Sequence, residues 1–138
     1  MKFFLKIIFF LIIIYAQIAN AIEYFLSPGQ YNNLPFVLHA GDTIYLQSGE
    51  YFINLKLANN ISIIGDANNQ SILKPLKNEL PILEKIGAGK IANLVFSDYS
   101  PAQSEQTIEI KAAISISNSD AIIENCMIIN NKSIGIYA

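Results

Sequence analysis

The side chains able to do chemistry in this sequence of 138 residues are few and scattered. Asp98, Glu105, Glu109, Asp120 and Glu124 stand singly, with no Asp-Asp or Asp-x-x-Asp pair to grip a cation or share a proton. Glu109 and Lys111, two apart, would share one face of a strand and pair across a groove. A solvated pair of that kind is worth under ~1 kcal/mol and is no catalytic dyad. His39 is the single histidine and precedes the first clear strand signal. Without accompanying Cys/His spacing it makes no zinc site. Cys126 is the single cysteine, so no intramolecular disulfide forms. It has no neighbouring Lys or His in sequence to activate its thiol, and core packing is its expected role. Gly87-Ala88-Gly89-Lys90 has neither the full spacing of a phosphate loop nor a helix signal after it, and reads as a turn between strands. Asn60-Ile61-Ser62, Asn69-Gln70-Ser71 and Asn131-Lys132-Ser133 are glycosylation sequons, relevant where the host glycosylates exported proteins. No catalytic, cofactor-binding or metal-ligating residue is assigned on this reading, and no cofactor is expected. The balance leans away from an enzyme.

Charge narrows the partner. All nine basic residues are Lys, against eleven acids, for a formal charge of −2. Without residues 1–21, which hold Lys2 and Lys6, the remainder is −4. Phosphate backbones are bound by clustered Lys or Arg, so no nucleic-acid partner is expected.

Residues 1–21 have the form of a removable export signal. Lys2 and Lys6 supply a short positive start, Ile7 to Tyr15 is uncharged and apolar, and Ala19-Asn20-Ala21 is a small-x-small cleavage site. The apolar run is short of the roughly 20 residues a spanning helix needs. A cleaved signal helix is therefore predicted, with the cut after Ala21, a secreted or periplasmic location, and no membrane attachment afterwards.

The elements that must position any site are strands. Beyond residue 40 the apolar residues fall into short Ile-rich runs separated by Asn, Gly, Ser and Asp, the pattern of many short strands and turns. The runs repeat. One pass covers Leu55 to Leu73, a second Ile82 to about Ile110, and a third Ala113 to Tyr137. Ile91-x-Asn93-Leu94-x-Phe96 superimposes on Ile123-x-Asn125-Cys126-x-Ile128 at a shift of 32, with Ile82 and Ile114 at the same shift. Ile61 to Ile64 aligns with Ile91 to Leu94 at a shift of 30. Three strands per pass at a period near 30 mean one solenoid coil per pass. Asn93 and Asn125 would then stack at a bend, bonding amide to amide along the stack. The fold class expected is all-β: a right-handed parallel β-helix of about three coils behind a cleaved signal helix.

Two segments resemble the pectate-lyase-like superfamily of right-handed parallel β-helices. Ala40-Gly41-Asp42-Thr43-Ile44-Tyr45-Leu46, followed by Ser48-Gly49-Glu50-Tyr51, is similar to the opening of such proteins, where a strand starts the first coil and the glycine opens the next turn. Ala121 to Ala138 resembles their generic repeat. The resemblance spans residues 40–138 and implies the fold; lyases, hydrolases, esterases, adhesins and non-enzymes all share it. It implies a capping segment over residues 22–40, with Tyr24-Phe25-Leu26 as a short strand, Ser27-Pro28-Gly29 as a turn and one helical turn from Leu34 to Ala40. The resemblance implies enzymes that work with Arg or Lys bases or grouped acids; this chain has no Arg, so the Arg-dependent versions have no residue to carry over.

The sequence stops at Tyr137-Ala138 inside a strand pattern, with no polar cap after it. Solenoid ends normally need one. An N-terminal piece of a longer β-helix is the expectation; the alternatives are an open last coil that stacks on another chain and a marginal remnant. The functional expectation is an exported β-helix module without a catalytic site, binding polysaccharide or a surface partner. The alternative is the N-terminal portion of a polysaccharide lyase or hydrolase whose catalytic coils are missing.

Overall fold

The structure is a computed structural model that describes residues 21–30, 37–58, 60–102, 111–118 and 120–138. The signal segment 1–20, Leu34 to Phe36, the strand expected at Thr107 to Ile110, Glu105 and Glu109 lie outside the described residues.

The described residues form thirteen strands and no helix. In chain order these are β1 (Glu23–Leu26), β2 (Thr43–Leu46), β3 (Gly49–Phe52), β4 (Leu55–Leu57), β5 (Ser62–Gly65), β6 (Ser71–Lys74) and β7 (Leu83–Ile86). They continue as β8 (Gly89–Ala92), β9 (Leu94–Ser97), β10 (Ala112–Ser117), β11 (Ala121–Glu124), β12 (Met127–Ile129) and β13 (Ile134–Tyr137). Successive strands go to different sheets. The first sheet runs β1-β2-β5-β8-β11, the second β3-β6-β9-β12 and the third β4-β7-β10-β13. Every pairing is parallel. The described residues are thus all-β, with three parallel sheets of stacked strands, an arrangement compatible with a β-helical solenoid.

Alternation places one apolar set inside each sheet. Ile44, Ile63 and Ile91 line up on the first sheet, Tyr51, Leu73 and Phe96 on the second, and Leu57, Leu83 and Ile114 near the third, all buried. Each such side chain contributes roughly 1.5–3 kcal/mol of transfer free energy. Single passes cannot form this core; it exists only between neighbours in the stack. In the last pass Ile123, Cys126 and Ile128 are only partly buried against it, and Ile134 and Ile136 are exposed.

The corners explain why the chain is rich in Asn. Asn60, Asn93, Asn118, Asn125, Asn130 and Asp98 all have positive φ, between 50° and 62°. Left-handed backbone costs most residues roughly 1–2 kcal/mol, whereas short Asn and Asp side chains offset it by bonding locally. One such residue turns the chain from β8 into β9, and no wider loop is needed.

Three expectations about the stack need correction. The sheets are four or five strands deep, more than about three coils imply, because Thr43 to Leu57 is itself a full pass. It escaped the period of 30 because its spacing is short: Thr43 pairs with Ser62, 19 residues on, whereas Gly89 pairs with Ala121, 32 on. Ile63, not Ile61, pairs with Ile91, so the shift there is 28. A slip of two residues keeps every side chain on its own face, and alternation cannot detect it. Ile114 pairs with Leu83 rather than Ile82, a shift of 31 and a slip of one, between two apolar neighbours that are both buried. The turn from β10 to β11 is one residue longer than that from β7 to β8, which restores the shift of 32 in the next sheet. The Ile91–Ile123 and Phe96–Ile128 alignments hold as read.

Near the N-terminus, β1 and the Ser27 to Gln30 turn agree with the reading, the turn closing through a Gln30 N–H bond to the Ser27 carbonyl of 3.0 Å. Val37 to His39 is not helical. Asp42 closes a turn there instead, its N–H donating to the His39 carbonyl at 3.0 Å and its carboxylate accepting the His39 N–H at 2.8 Å. Gly49 is the first residue of β3 rather than a turn opener, and its φ of 131° carries the chain past Pro28, where a Cβ would lie 2.4 Å from the ring Cγ.

Candidate functional site

The groups weighed in the sequence do not converge. His39 is exposed at the N-terminal bend. Lys111 donates its ammonium to the Ala102 carbonyl at 2.9 Å. Cys126 packs against the core at the corner between β11 and β12, within 3.3 Å of the Glu124 carbonyl and 3.7 Å of that of Ile91, and burial pushes its thiol pKa up, away from reactivity. Glu124 pairs with Lys90 at 2.7 Å on the outer face of the first sheet, and Asp98 lies 3.4 Å from Lys74 on the second. Of the segment read as a turn, only Gly87 and Ala88 lie between the strands; Gly89 and Lys90 are the first two residues of β8. Among the described residues no group of three or more His, Cys, Asp or Glu gathers to hold a metal ion.

What the fold does gather is carboxamides. Where the first sheet turns into the second, a groove of about 290 Å³ is lined by Asn68, Asn69, Gln70, Asn93, Asn125 and Asp66, with Leu94, Val95 and Met127 as its apolar part. The corner is one residue wide at Asn93, but the pass below bulges out as the Asp66 to Gln70 turn. That turn is fixed at both ends. Asp66 Oδ1 accepts the N–H groups of Asn68 at 2.8 Å and Asn69 at 3.2 Å, which hold its carboxyl below the usual carboxylate range. At the other end the buried Ser71 hydroxyl accepts the Asp66 N–H and sits 3.0 Å from the carbonyls of Leu46 and Gln47 one pass down. Gly65 lets the wall close up: a Cβ there would lie 2.1 Å from the Asn93 carbonyl oxygen. Asn125 donates to Asn93 Oδ1 at 3.4 Å, as the stacking of the two passes requires.

Carboxamides offer donors and acceptors without net charge, and the apolar side chains beside them offer dispersion contact. Such a groove can bind a hydroxyl-rich neutral ligand; it contains no paired acid and base for bond cleavage. Outside it, Phe25 and Tyr45 stack at 5.0 Å with an interplanar angle of 11° on the outer face of the first sheet. Glu50, Lys74 and Asp98 form an ion-pair row on the second sheet, with Lys74 also 5.8 Å from the Phe52 ring centroid.

Two buried charges were missed in the sequence. Asp42 shares the face of Ile44 and Leu46, and Lys85 that of Leu83, so the alternation already places both inward. Lys85 is fully buried and donates to the carbonyls of Ala58 at 2.8 Å, Ile86 at 3.1 Å and Ala88 at 2.5 Å. Three donors meet three acceptors, so the ammonium ties the Ile86 to Ala88 turn to the pass below.

No protein-family model matches the chain, and no curated protein or solved structure matches it either. Its class is the one the sheets of the described residues define: stacked parallel strands with a carboxamide-lined corner.

Proposed function

We propose that this chain is an exported, right-handed parallel β-helix module of the pectate-lyase-like kind that binds neutral polysaccharide without cleaving it. The carrying observation is the corner groove, where five carboxamides are set around an apolar wall by a turn bonded at both ends. Right-handed winding is supported by the general rule for crossovers between parallel strands. Export is supported by the Lys2 to Ala21 segment. Sugar rings present hydroxyls and apolar C–H faces together, and the groove has a partner for each.

The reading is tested by affinity electrophoresis of the exported protein in gels containing a neutral glucan, galactan or mannan, or acidic pectin. Retardation by a neutral polymer is expected, and the Asn68→Ala/Gln70→Ala double variant should weaken it by roughly tenfold, since each polar contact is worth about 0.5–1.5 kcal/mol. No retardation by any of them, or retardation indifferent to the double variant, would overturn it. Release of new reducing ends or unsaturated products would replace binding with catalysis.

A further inference from the structure

Asp42 is fully buried, yet its carboxylate reaches the first residue expected after the leader. Oδ1 accepts the Ile22 N–H at 2.9 Å, while Oδ2 accepts that of His39 at 2.8 Å. Both partners are held in place by the rest of the fold. The Asp42 carbonyl accepts the Ser62 N–H at 3.0 Å, and the Ile22 carbonyl accepts that of Thr43 at 3.0 Å. From Glu23 opposite Thr43 onward, β1 then runs in register along β2. The nitrogen of Ile22 is thus pinned to the stack at the bond that a small-x-small signal would present, and Ala21 on its other side is exposed.

We propose that removal of residues 1–21 turns this nitrogen into an α-ammonium received by the pre-formed Asp42 carboxylate, so that the mature N-terminus is an ion pair locking β1 onto the stack. The proposal rests on the export reading above. The step is hydrolysis by a leader peptidase of the exporting host. Water adds across the Ala21–Ile22 peptide bond, Ala21 leaves with a carboxylate, and the Ile22 nitrogen takes up the proton to become an ammonium.

The chemistry favours the product. Before cleavage a buried negative charge is answered by amide dipoles; afterwards the same oxygen faces a full positive charge at the same position. A charge-assisted bond is roughly twice as strong as a neutral one, and a buried carboxylate is costly until it is paired. The titratable groups facing Asp42 are His39, on its own bend, and Tyr24, on β1. Tyr24 is neutral at ordinary pH and offers Asp42 a hydroxyl hydrogen bond, and the coulombic help of His39 comes from an exposed ring, whereas the new terminus would bring its charge into direct contact with Oδ1. Ile22 is 47% exposed, which leaves the other ammonium hydrogens access to water.

The test uses the full-length chain, produced in an exporting bacterium and recovered as secreted. N-terminal sequencing comes first. A start other than Ile22 overturns the cleavage reading and this proposal with it. With a start at Ile22, the α-amine is titrated by NMR. The expected midpoint lies at least one unit above the ~7.7–8.0 of an ordinary terminus, equivalent to a tenfold smaller free-amine fraction at neutral pH. Asp42→Asn should return it to the ordinary range. A wild-type midpoint within that range overturns the ion pair while leaving export intact, and this measurement does not depend on the variant folding. A raised midpoint unchanged in a folded Asp42→Asn protein overturns it too.

Discussion

Asn125 donates its carboxamide N–H to Oδ1 of Asn93 one pass away, at 3.4 Å, and both residues hold left-handed backbone, φ 50° and 57°. The corner thus makes two separate demands on one residue type. Asn93→Ala should cost about 1–3 kcal/mol, combining the left-handed penalty with loss of a polar contact. Asn93→Gly should cost less, because glycine accepts the backbone and loses only the side chain. Urea denaturation of both variants checks this; equal losses would show that the backbone conformation is not the source.

Gly65→Ala is expected to be among the most damaging single changes. Its new Cβ would meet the backbone carbonyl of Asn93 at 2.1 Å, and backbone cannot swing aside as a flexible side chain does. A loss of about 3 kcal/mol is expected, the upper end for overpacking. Thermal unfolding followed by circular dichroism reads it directly, and a shift within error would mean the two passes separate more easily than their spacing implies.

Lys85→Met should destabilise by about 1–3 kcal/mol at neutral pH, since three carbonyls lose a buried donor. Desolvation pushes the Lys85 ammonium pKa down. A base depressed in the folded state binds its proton more weakly there than in the unfolded chain, so wild-type stability rises with pH between the folded value and about 10.4. The gap between wild type and Lys85→Met should therefore widen as pH rises towards that limit. Denaturant midpoints of both proteins across that range give the answer; a narrowing gap would contradict it.

Asp42 titrates in the opposite sense. Burial pushes its carboxyl up, but hydrogen bonds from the backbone of His39 and Ile22 outweigh this and hold it below the ordinary range. Its contribution is complete above the unfolded value of about 3.9 and is lost as pH falls through the depressed folded one. Asp42→Asn should cost about 1–3 kcal/mol at neutral pH, and the difference should shrink on acidification below 3.9. Acid unfolding curves of the two proteins are the comparison.

The ion-pair row on the second sheet should contribute little. Glu50 and Asp98 are about half exposed beside Lys74. Exposed pairs are worth about 0–1 kcal/mol, so Lys74→Met should stay within that range in chemical denaturation, and a much larger loss would point to the Phe52 contact instead.

Strand identity and face were readable from residue order where one face is exposed, because alternation in runs such as Ile61 to Ile64 reports which side chains point inward; β9 is buried at all four positions and carries no such signal. The Asn93–Asn125 stack was readable for the same reason, two matching strands placing one residue above the other. The inward parity of Asp42 and Lys85 was present too, but nothing along the chain names their partners: Ile22 is 20 residues away from Asp42 and Ala58 is 27 from Lys85. The groove was not readable at all. Asp66 to Gln70 looks like any polar turn, and only the two passes above, bringing Asn93 and then Asn125 over it, make a wall of it. Register escaped for physical reasons: on the first sheet a two-residue slip preserves every inward face, and on the third Ile82 and Leu83 are adjacent apolar residues, both buried, so the sequence did not single out the partner of Ile114. Local alternation therefore settled which residues face the core, while stacking across 19 to 32 residues of chain decided which of them meet.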